Sequence, residues 1–338
     1  MKILYAIQGT GNGHSSRAIE IVPHLQKRAE VDVLISGYQC ELQLPFDVKY
    51  KLYGLSFIFG KKGGIDLWKT LRKTKIKNLL KEIKSLPVKD YDLVINDFEP
   101  VSAWACKLKN VPLISLSHQN AVADDNAPKY GTFKLEKLLL KYYAPAKNKF
   151  GFHFKTYSSA TFLPIIRKEI RHRNITNKGH YTVYLPAYGD KKLLKLLSTF
   201  KDVKWEIFSK HTQQFELHNN ITIRPIDGKD FIKSIASSNG VLCGAGFETP
   251  AEALYLRKKL MVIPMKNQYE QQCNALALKE MGVPVLKKLN KKQLSKIEKW
   301  LKSKETVKVQ YPDVTEDILD ALILPYYNES ILPEITIG

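Results

Sequence analysis

Runs of aliphatic residues alternate along this chain with stretches of helical periodicity, and the alternation occurs twice over, each time passing through a glycine-rich turn. Strands separated by helical stretches lie parallel in one sheet, because a parallel neighbour is reached only by crossing the sheet's face. The first series reads as strand Lys2–Ile7, a helix over Ser15–Lys27, strands Val31–Ile35, Val48–Leu52, Leu93–Asn96 and Pro112–Leu116, with a helix over Val101–Lys109 between the last two. The second begins at Tyr181–Leu185 and continues through helix Lys191–Thr199, strands Lys204–Phe208 and Ile221–Arg224, and a helix around Asp230–Ser237. Strand Gly240–Cys243, a helix from near Thr249, strand Lys259–Ile263 and helix Tyr269–Met281 complete it. A length of 338 residues is comfortable for two such units. The expected organisation is a first α/β domain over 1–165, a polar, basic linker over 166–180, a second α/β domain over 181–312, and a helix and tail over 313–338 that packs back on the first.

The same pattern excludes other classes. No apolar run reaches the roughly 20 residues of a membrane-spanning helix, and Met1–Ile7 lacks the basic start, length and cleavage site of a secretory signal. Cys40, Cys106, Cys243 and Cys273 are scattered without a CxxC pair, which predicts buried thiols in a reducing compartment and no zinc site. A cytoplasmic location is expected. The 53 basic and 33 acidic residues leave a formal net charge of +20. Such a field attracts polyanions, whether nucleic acid, anionic lipid or phosphorylated small molecules, and says nothing about fold.

The first glycine-rich turn is Gly9-Thr10-Gly11-Asn12-Gly13-His14-Ser15-Ser16-Arg17, between strand and helix. Glycines there let backbone approach a ligand at the helix N-terminus, where free N–H groups and the macrodipole favour anions. A dinucleotide fingerprint needs a third glycine where His14 stands, and a carboxylate after the second strand, where Ser36-Gly37-Tyr38 stands. GxxxxGK[ST] is also absent, so both NAD binding and a P-loop nucleotidase are disfavoured. An imidazole in the first turn of a helix is disfavoured as a cation by the dipole. A neutral His14 at the carboxyl edge of a parallel sheet suits a general base for an acceptor hydroxyl, although position alone fits a capping or core histidine equally well.

The second turn is Cys243-Gly244-Ala245-Gly246-Phe247-Glu248-Thr249-Pro250-Ala251-Glu252-Ala253, again strand to helix. Pro250 suits a first helical turn, so the N–H groups around Phe247–Ala251 point toward whatever occupies the adjoining cleft, as a diphosphate would require. Glu252, within the first two turns, is placed to accept from ribose hydroxyls. Val262-Ile263-Pro264-Met265 and Tyr269-Glu270-Gln271-Gln272 bring further polar groups to the same sheet edge. Asp97 and Glu99 follow one strand of the first series, and His118 and Gln119 the next. All four stand at carboxyl ends, where they line an acceptor side or orient His14; the alternative is helix capping by Asp97 and a solvated Glu99.

"GTGNGHSSR" and "CGAGFETPAEALYLRKKLMVIPMKNQYEQQCNALAL", in that order, resemble the GT-B glycosyltransferases. They are closest to the group of the peptidoglycan N-acetylglucosaminyltransferase, which acts on undecaprenyl-diphospho-muramoylpentapeptide, and "DLVINDFEP" and "PLISLSHQN" resemble segments of that group's first domain. The resemblance spans about Met1–Met281 and implies two Rossmann-like, doubly wound domains facing a central cleft. It further implies an inverting, metal-independent transfer of a hexose or N-acetylhexosamine from a UDP-sugar. The nucleotide sugar is then a co-substrate, with no bound cofactor. By motif match, Gly244, Ala245, Gly246, Phe247, Glu248 and Thr249 cradle the diphosphate and Glu252 holds the ribose. Glu270 and Gln271 hold sugar hydroxyls, Met265 lies beside them, and Ile226 of "RPID" meets the base through its backbone. His14 matches the family's candidate base; Asp97 joins it in the catalytic group on its place at the carboxyl edge, where it can orient His14. Gly11, Asn12, Gly13, Arg17, Glu99, His118 and Gln119 fall on the acceptor or phosphate side. Relatives often carry Gly-Gly before the histidine where Asn12-Gly13 stands here, which weakens the phosphate role of this turn.

Lys61–Lys84 carries nine basic residues against Asp66 and Glu82, with Trp68, Leu71, Leu79, Leu80 and Ile83 at helical spacing. Phe133–Lys149 is similar, with Leu135, Leu138, Leu139, Tyr142 and Tyr143 on one side. Basic amphipathic helices in an acceptor domain fit an anionic membrane surface and a lipid-linked acceptor or cell-envelope glycan precursor; a core-facing stripe with a solvated lysine face fits as well. A UDP-sugar 2-epimerase of the same fold remains an alternative. A basic nucleic-acid-binding protein is another, supported by charge alone and by no motif, and a catalytically dead nucleotide-sugar sensor is a third.

Overall fold

The computed structural model describes residues 1–10, 12–37, 44–55, 76–131, 138, 140 and 142–327. The first sheet contains β1 (Lys2–Gln8), β2 (Glu30–Ser36), β3 (Tyr50–Leu52), β4 (Leu93–Asp97), β5 (Leu113–Leu116), β6 (Asn148–Phe152) and β7 (Thr161–Phe162). Their order is β3-β2-β1-β4-β5-β6-β7, with every pair parallel. The near-continuous apolar character of KILYAIQ in β1 follows from burial on both faces, since helices cover both sides of a parallel sheet. Helices α1 (Asn12–Gln26), α2 (Ile76–Ser85), α3 (Pro100–Lys109) and α4 (His118–Ala123) belong to this half, and α5 (Lys168–Arg171) lies beyond β7.

The second sheet contains β8 (His180–Tyr184), β9 (Lys204–Ser209), β10 (Glu216–His218), β11 (Ile221–Pro225), β12 (Gly240–Gly244) and β13 (Lys259–Ile263). Its order is β10-β11-β9-β8-β12-β13, parallel except for the β10–β11 pair. Helices α6 (Asp190–Leu197), α7 (Gly228–Ser237), α8 (Glu248–Tyr255), α9 (Tyr269–Glu280), α10 (Leu294–Lys302) and α11 (Thr315–Ile323) complete the described chain. The strand order reverses between β1 and β4 in one sheet and between β8 and β12 in the other. These are the switch points where open α/β sheets leave a crevice at their carboxyl ends.

One buried cluster runs through both halves, joining Ile7, Ala18 and Ile21 to Phe152 and Phe154, and these to Ala245, Phe247 and Ala251. Helix α11 returns to α1 and adds Ile318, Leu319 and Leu322 to the cluster. At its rim, His24 Nδ1 lies 2.7 Å from Glu316, and Arg28 pairs with Asp320.

The segment expected as a linker is anchored rather than free-standing. It holds α5, its Thr176 and Lys178 N–H groups donate to Ala236 and Ser237, and the Arg171 Nη1 donates to the Tyr311 carbonyl at 2.9 Å. Lys258, almost fully buried, donates to the Thr176 and Ser238 carbonyls at 2.8 and 2.9 Å, and burial pushes its ammonium down to about 8.

The helix expected over Phe133–Lys149 is corrected. Among the described residues it is helical at Leu138, Leu140 and Tyr142, leaves the helix at Tyr143, and becomes β6 by Asn148. Pro145 accounts for the exit, because proline disfavours helical backbone at the residue before it, Ala144. Leu135 and Leu139 lie outside the described residues, as do Cys40, Trp68 and Leu71. In α2, Leu79 and Ile83 face the core while Ile76 and Leu80 face solvent.

Leu319 is fully buried between α11 and α1. Leu319→Ala is expected to lower stability by about 2–5 kcal/mol in urea denaturation. Glu316→Ala, whose carboxylate is half exposed, is expected to cost under about 1 kcal/mol.

Candidate active site

The site begins at the end of β4. Phe98 takes a left-handed backbone with φ 56°, a conformation an aromatic residue adopts only when the surroundings impose it. On either side of this turn, Asp97 and Glu99 find different partners. Asp97 is fully buried and receives Nδ1 of His14 at 2.9 Å, Nε of Arg17 at 3.1 Å and Nη2 of Arg17 at 2.9 Å. Burial opposes ionisation of Asp97, but Arg17 and His14 hold its carboxyl below the usual carboxylate range. Glu99 caps α3, accepting from the Val101 and Ser102 N–H groups at 2.7 and 2.6 Å and from the Ser36 hydroxyl at 2.6 Å. Its expected place on the acceptor side is therefore corrected: both oxygens are occupied within the first domain. The capping role considered for Asp97 belongs to Glu99.

His14 and Arg17 are three residues apart on α1, hence on one face, and both turn to Asp97. The remaining arm of the Arg17 guanidinium, Nη1, crosses to the second domain and donates to Glu248 at 2.7 Å. Although burial opposes its charge, Asp97 and Glu248 keep Arg17 firmly protonated. Glu248, at the start of α8, keeps 18% of its side-chain surface open. Burial pushes its carboxyl up to about 7, Arg17 working against the shift and Glu252 and Asp97 adding to it. The Nε2 atoms of His14 and Gln119 lie 3.4 Å apart, and Gln119 donates to Glu270 at 3.1 Å, a second link across the cleft. Beneath these groups, the buried Tyr5 hydroxyl has no hydrogen-bond partner among the described residues.

His118 acts as a strut. Its Nδ1 lies 2.7 Å from the Phe152 carbonyl and its Nε2 2.9 Å from Asn274, while its ring stacks on Phe247 with centroids 4.1 Å apart. Burial lowers its pKa. Nδ1 is thus engaged within the first domain and Nε2 across the domain interface.

The glycines of the two turns differ in what they answer to. A Cβ on Gly9 would stand 2.9 Å from the Ser36 carbonyl oxygen, so packing against β2 demands glycine there. A Cβ on Gly246 would meet nothing within 4 Å, and one on Gly244 would meet the Gln271 side chain at 3.6 Å. Glu252 is buried and receives Arg167 through Nε at 2.6 Å and Nη2 at 3.0 Å. Gln271 accepts from the Met265 N–H at 2.9 Å, which pins the β13–α9 loop. Ile226 follows β11 and Thr249 lies in α8, both half-buried, and Ala245 accepts from Asn274 at 3.2 Å. The Asn12 side-chain oxygen is buried and has no partner among the described residues; Gly11 lies outside them.

Sequence reasoning missed Arg167 and Tyr5. Arg167 sits in a basic stretch with nothing local to distinguish it, and Tyr5 reads as an ordinary core position of β1.

The sequence pattern of glycosyl transferase family 1 matches residues 1–303, and the chain belongs to this family. The MurG structure of Acinetobacter baumannii is similar at 16% identity and a TM-score of 0.58, over 95% of this chain and 98% of that one. Spinosyn rhamnosyltransferase SpnG is similar at 13% identity and a TM-score of 0.58, over 96% of both chains. Its complex with thymidine diphosphate gives 13% identity and a TM-score of 0.56 over the same shares. A comparison with curated proteins gives no match. The fold is GT-B, and the protein is a glycosyltransferase. No helix of the described residues is long and apolar enough to cross a membrane.

Removing Asp97 leaves a buried guanidinium short of its counter-charge. Asp97→Ala is expected to lower stability by about 3–5 kcal/mol. Because folded Asp97 gives up its proton more readily than the unfolded chain does, its contribution is complete above about pH 4 and is lost as pH falls through the lower folded value. Urea denaturation across the acid range is expected to show a shallower acid limb in Asp97→Asn.

Proposed function

We propose that the protein transfers a hexose or N-acetylhexosamine from a UDP-sugar to an acceptor hydroxyl, with inversion and without a metal. The observation that carries this reading is the His14–Asp97 pair, at the first switch point and facing the Gly244–Thr249 turn through Arg17 and Glu248. With Nδ1–H given to Asp97, Nε2 is the acceptor nitrogen of His14, and it lies on the side of Gln119 and the cleft. An acceptor hydroxyl beside Nε2 loses its proton there as its oxygen attacks the anomeric carbon from the face opposite the diphosphate. Asp97 steadies the imidazolium so formed. The start of α8 and the Nη1 arm of Arg17 offer fixed positive potential to the departing diphosphate, so its charge is met without a cation. Glu252, held by Arg167, takes the ribose, Ile226 meets the uracil through its backbone, and Glu270 and Gln271 receive sugar hydroxyls. That a similar structure binds thymidine diphosphate supports a nucleoside diphosphate in this cleft.

For the acceptor we propose a lipid-linked glycan precursor met at an anionic membrane surface from the cytoplasmic side. Ile76 and Leu80 on α2 are exposed beside Lys77, Lys81 and Lys84, and Leu138 and Tyr142 are exposed in the same domain. Apolar tips among lysines are what a peripheral contact with anionic lipid requires.

Thermal unfolding with a panel of nucleotide sugars tests the donor. A UDP-sugar at 100–1,000 times its dissociation constant is expected to add roughly 3–4 kcal/mol of stability, with the gain lost in Glu252→Ala. No gain with any nucleotide sinks the reading. His14→Gln is expected to keep donor binding while turnover falls about 10²–10⁴-fold. Flotation on vesicles is expected to show binding to anionic and not to neutral lipid, weakened in Lys77→Glu/Lys81→Glu; equal recovery on both lipids removes the membrane proposal.

A further inference from the structure

A carboxylate occupies the place where the donor reading expects an anion to arrive. Glu248 opens α8, whose Phe247 cap residue supplies no side-chain acceptor, and its side chain reaches over the cleft. Its Oε1 accepts from Arg17 Nη1 at 2.7 Å, and a Cβ on Gly13 of the opposite turn would lie 3.6 Å from its Cγ. The Arg17 fork is asymmetric: Nε and Nη2 are both fixed on Asp97 within the first domain, so Nη1 is the arm able to change partner. Asp97 and the Tyr5 hydroxyl face Glu248 from β4 and β1, and Arg17 faces it from α1. Glu252 faces it from α8 itself and Arg167 from the segment before α5. Three carboxylates, Asp97, Glu248 and Glu252, thus share two guanidinium groups.

We propose that Glu248 is an anion placeholder: in the ligand-free cleft its carboxylate holds Nη1 of Arg17, and the donor diphosphate takes over that arm as Glu248 binds one proton from solvent. The inference rests on the donor-site reading above. The proton balance is simple. The carboxylate becomes a carboxylic acid when the diphosphate enters and releases the proton when the nucleoside diphosphate leaves; no bond of the sugar takes part. Protonation removes the repulsion between Glu248 and the diphosphate and leaves an O–H able to donate to it. The burial that already raises Glu248 to about 7 makes this proton readily available near neutrality, and a second anion beside it raises the group further.

UDP-glucose, UDP-N-acetylglucosamine and dTDP-glucose are titrated calorimetrically into wild type and Glu248→Gln, at about pH 6 and pH 8, in two buffers of different ionisation enthalpy. Linkage through a free-state value of about 7 predicts uptake of close to one proton at pH 8 and about a tenth of one at pH 6, with roughly tenfold weaker binding at the higher pH. Glu248→Gln is expected to take up none and to bind about tenfold more tightly than wild type at pH 8. Proton uptake by wild type is informative by itself should the variant not fold. Binding without proton uptake, or with the same uptake in both proteins, overturns the placeholder and leaves the donor site standing. Failure of all three sugars to bind at either pH overturns the donor site and the placeholder with it.

Discussion

A guanidinium withdrawn from water must find its counter-charges inside the protein, and Arg17 finds them in two different domains. Leaving such a group unpaired costs several kcal/mol, more than most single contacts contribute. The pairing with Asp97 therefore ties the start of α1 to the end of β4, and the pairing with Glu248 ties both to the start of α8. His14 inherits its position from the same constraint. It lies one helical turn before Arg17, and the carboxylate that neutralises the arginine also receives its Nδ1. Orientation of the candidate base and closure of the cleft thus depend on one buried charge.

The surrounding contacts make that arrangement unique rather than merely allowed. His118 stacks on Phe247 and meets Asn274, Gln119 meets Glu270, and α11 clasps α1 through Leu319. Each joins elements far apart in the chain. A continuous apolar cluster lies beneath them, and the low polarity on that side strengthens the buried Arg17–Asp97 pair. At Gly246 a side chain is absent although no described neighbour within 4 Å demands its absence.

Much of the scaffold was legible because its signals are local. Fully buried parallel strands read as uninterrupted apolar runs, and β1, β4, β12 and β13 all appear within a residue or so of where the sequence puts them. Elements without such a run were missed: β6, as NKFGF, is half polar, and β7 and β10 are two and three residues long. The site divides in the same way. His14, Asp97, Arg17, Glu248 and Glu270 were read at the carboxyl edge because they follow strands there. Arg167 was not, since its partner Glu252 lies 85 positions away. Asp97 and Glu99 were told apart only by the left-handed turn at Phe98, which no local preference of phenylalanine announces.

The amino-acid sequence by itself determined that this chain forms two parallel α/β sheets, each with a glycine-rich turn at a switch point, because period, strand length and turn chemistry are properties of a few neighbouring residues. It also determined which chemical groups would stand at those edges. Only the tertiary structure decided which of them pair, that Asp97 serves His14 and Arg17 while Glu99 caps a helix, and that Arg17 reaches Glu248 across 231 positions of chain. Those choices are set by burial and by the distance between charges. Both are quantities of the folded whole, because neither the depth of a carboxylate nor the reach of a guanidinium exists until distant segments have closed around them.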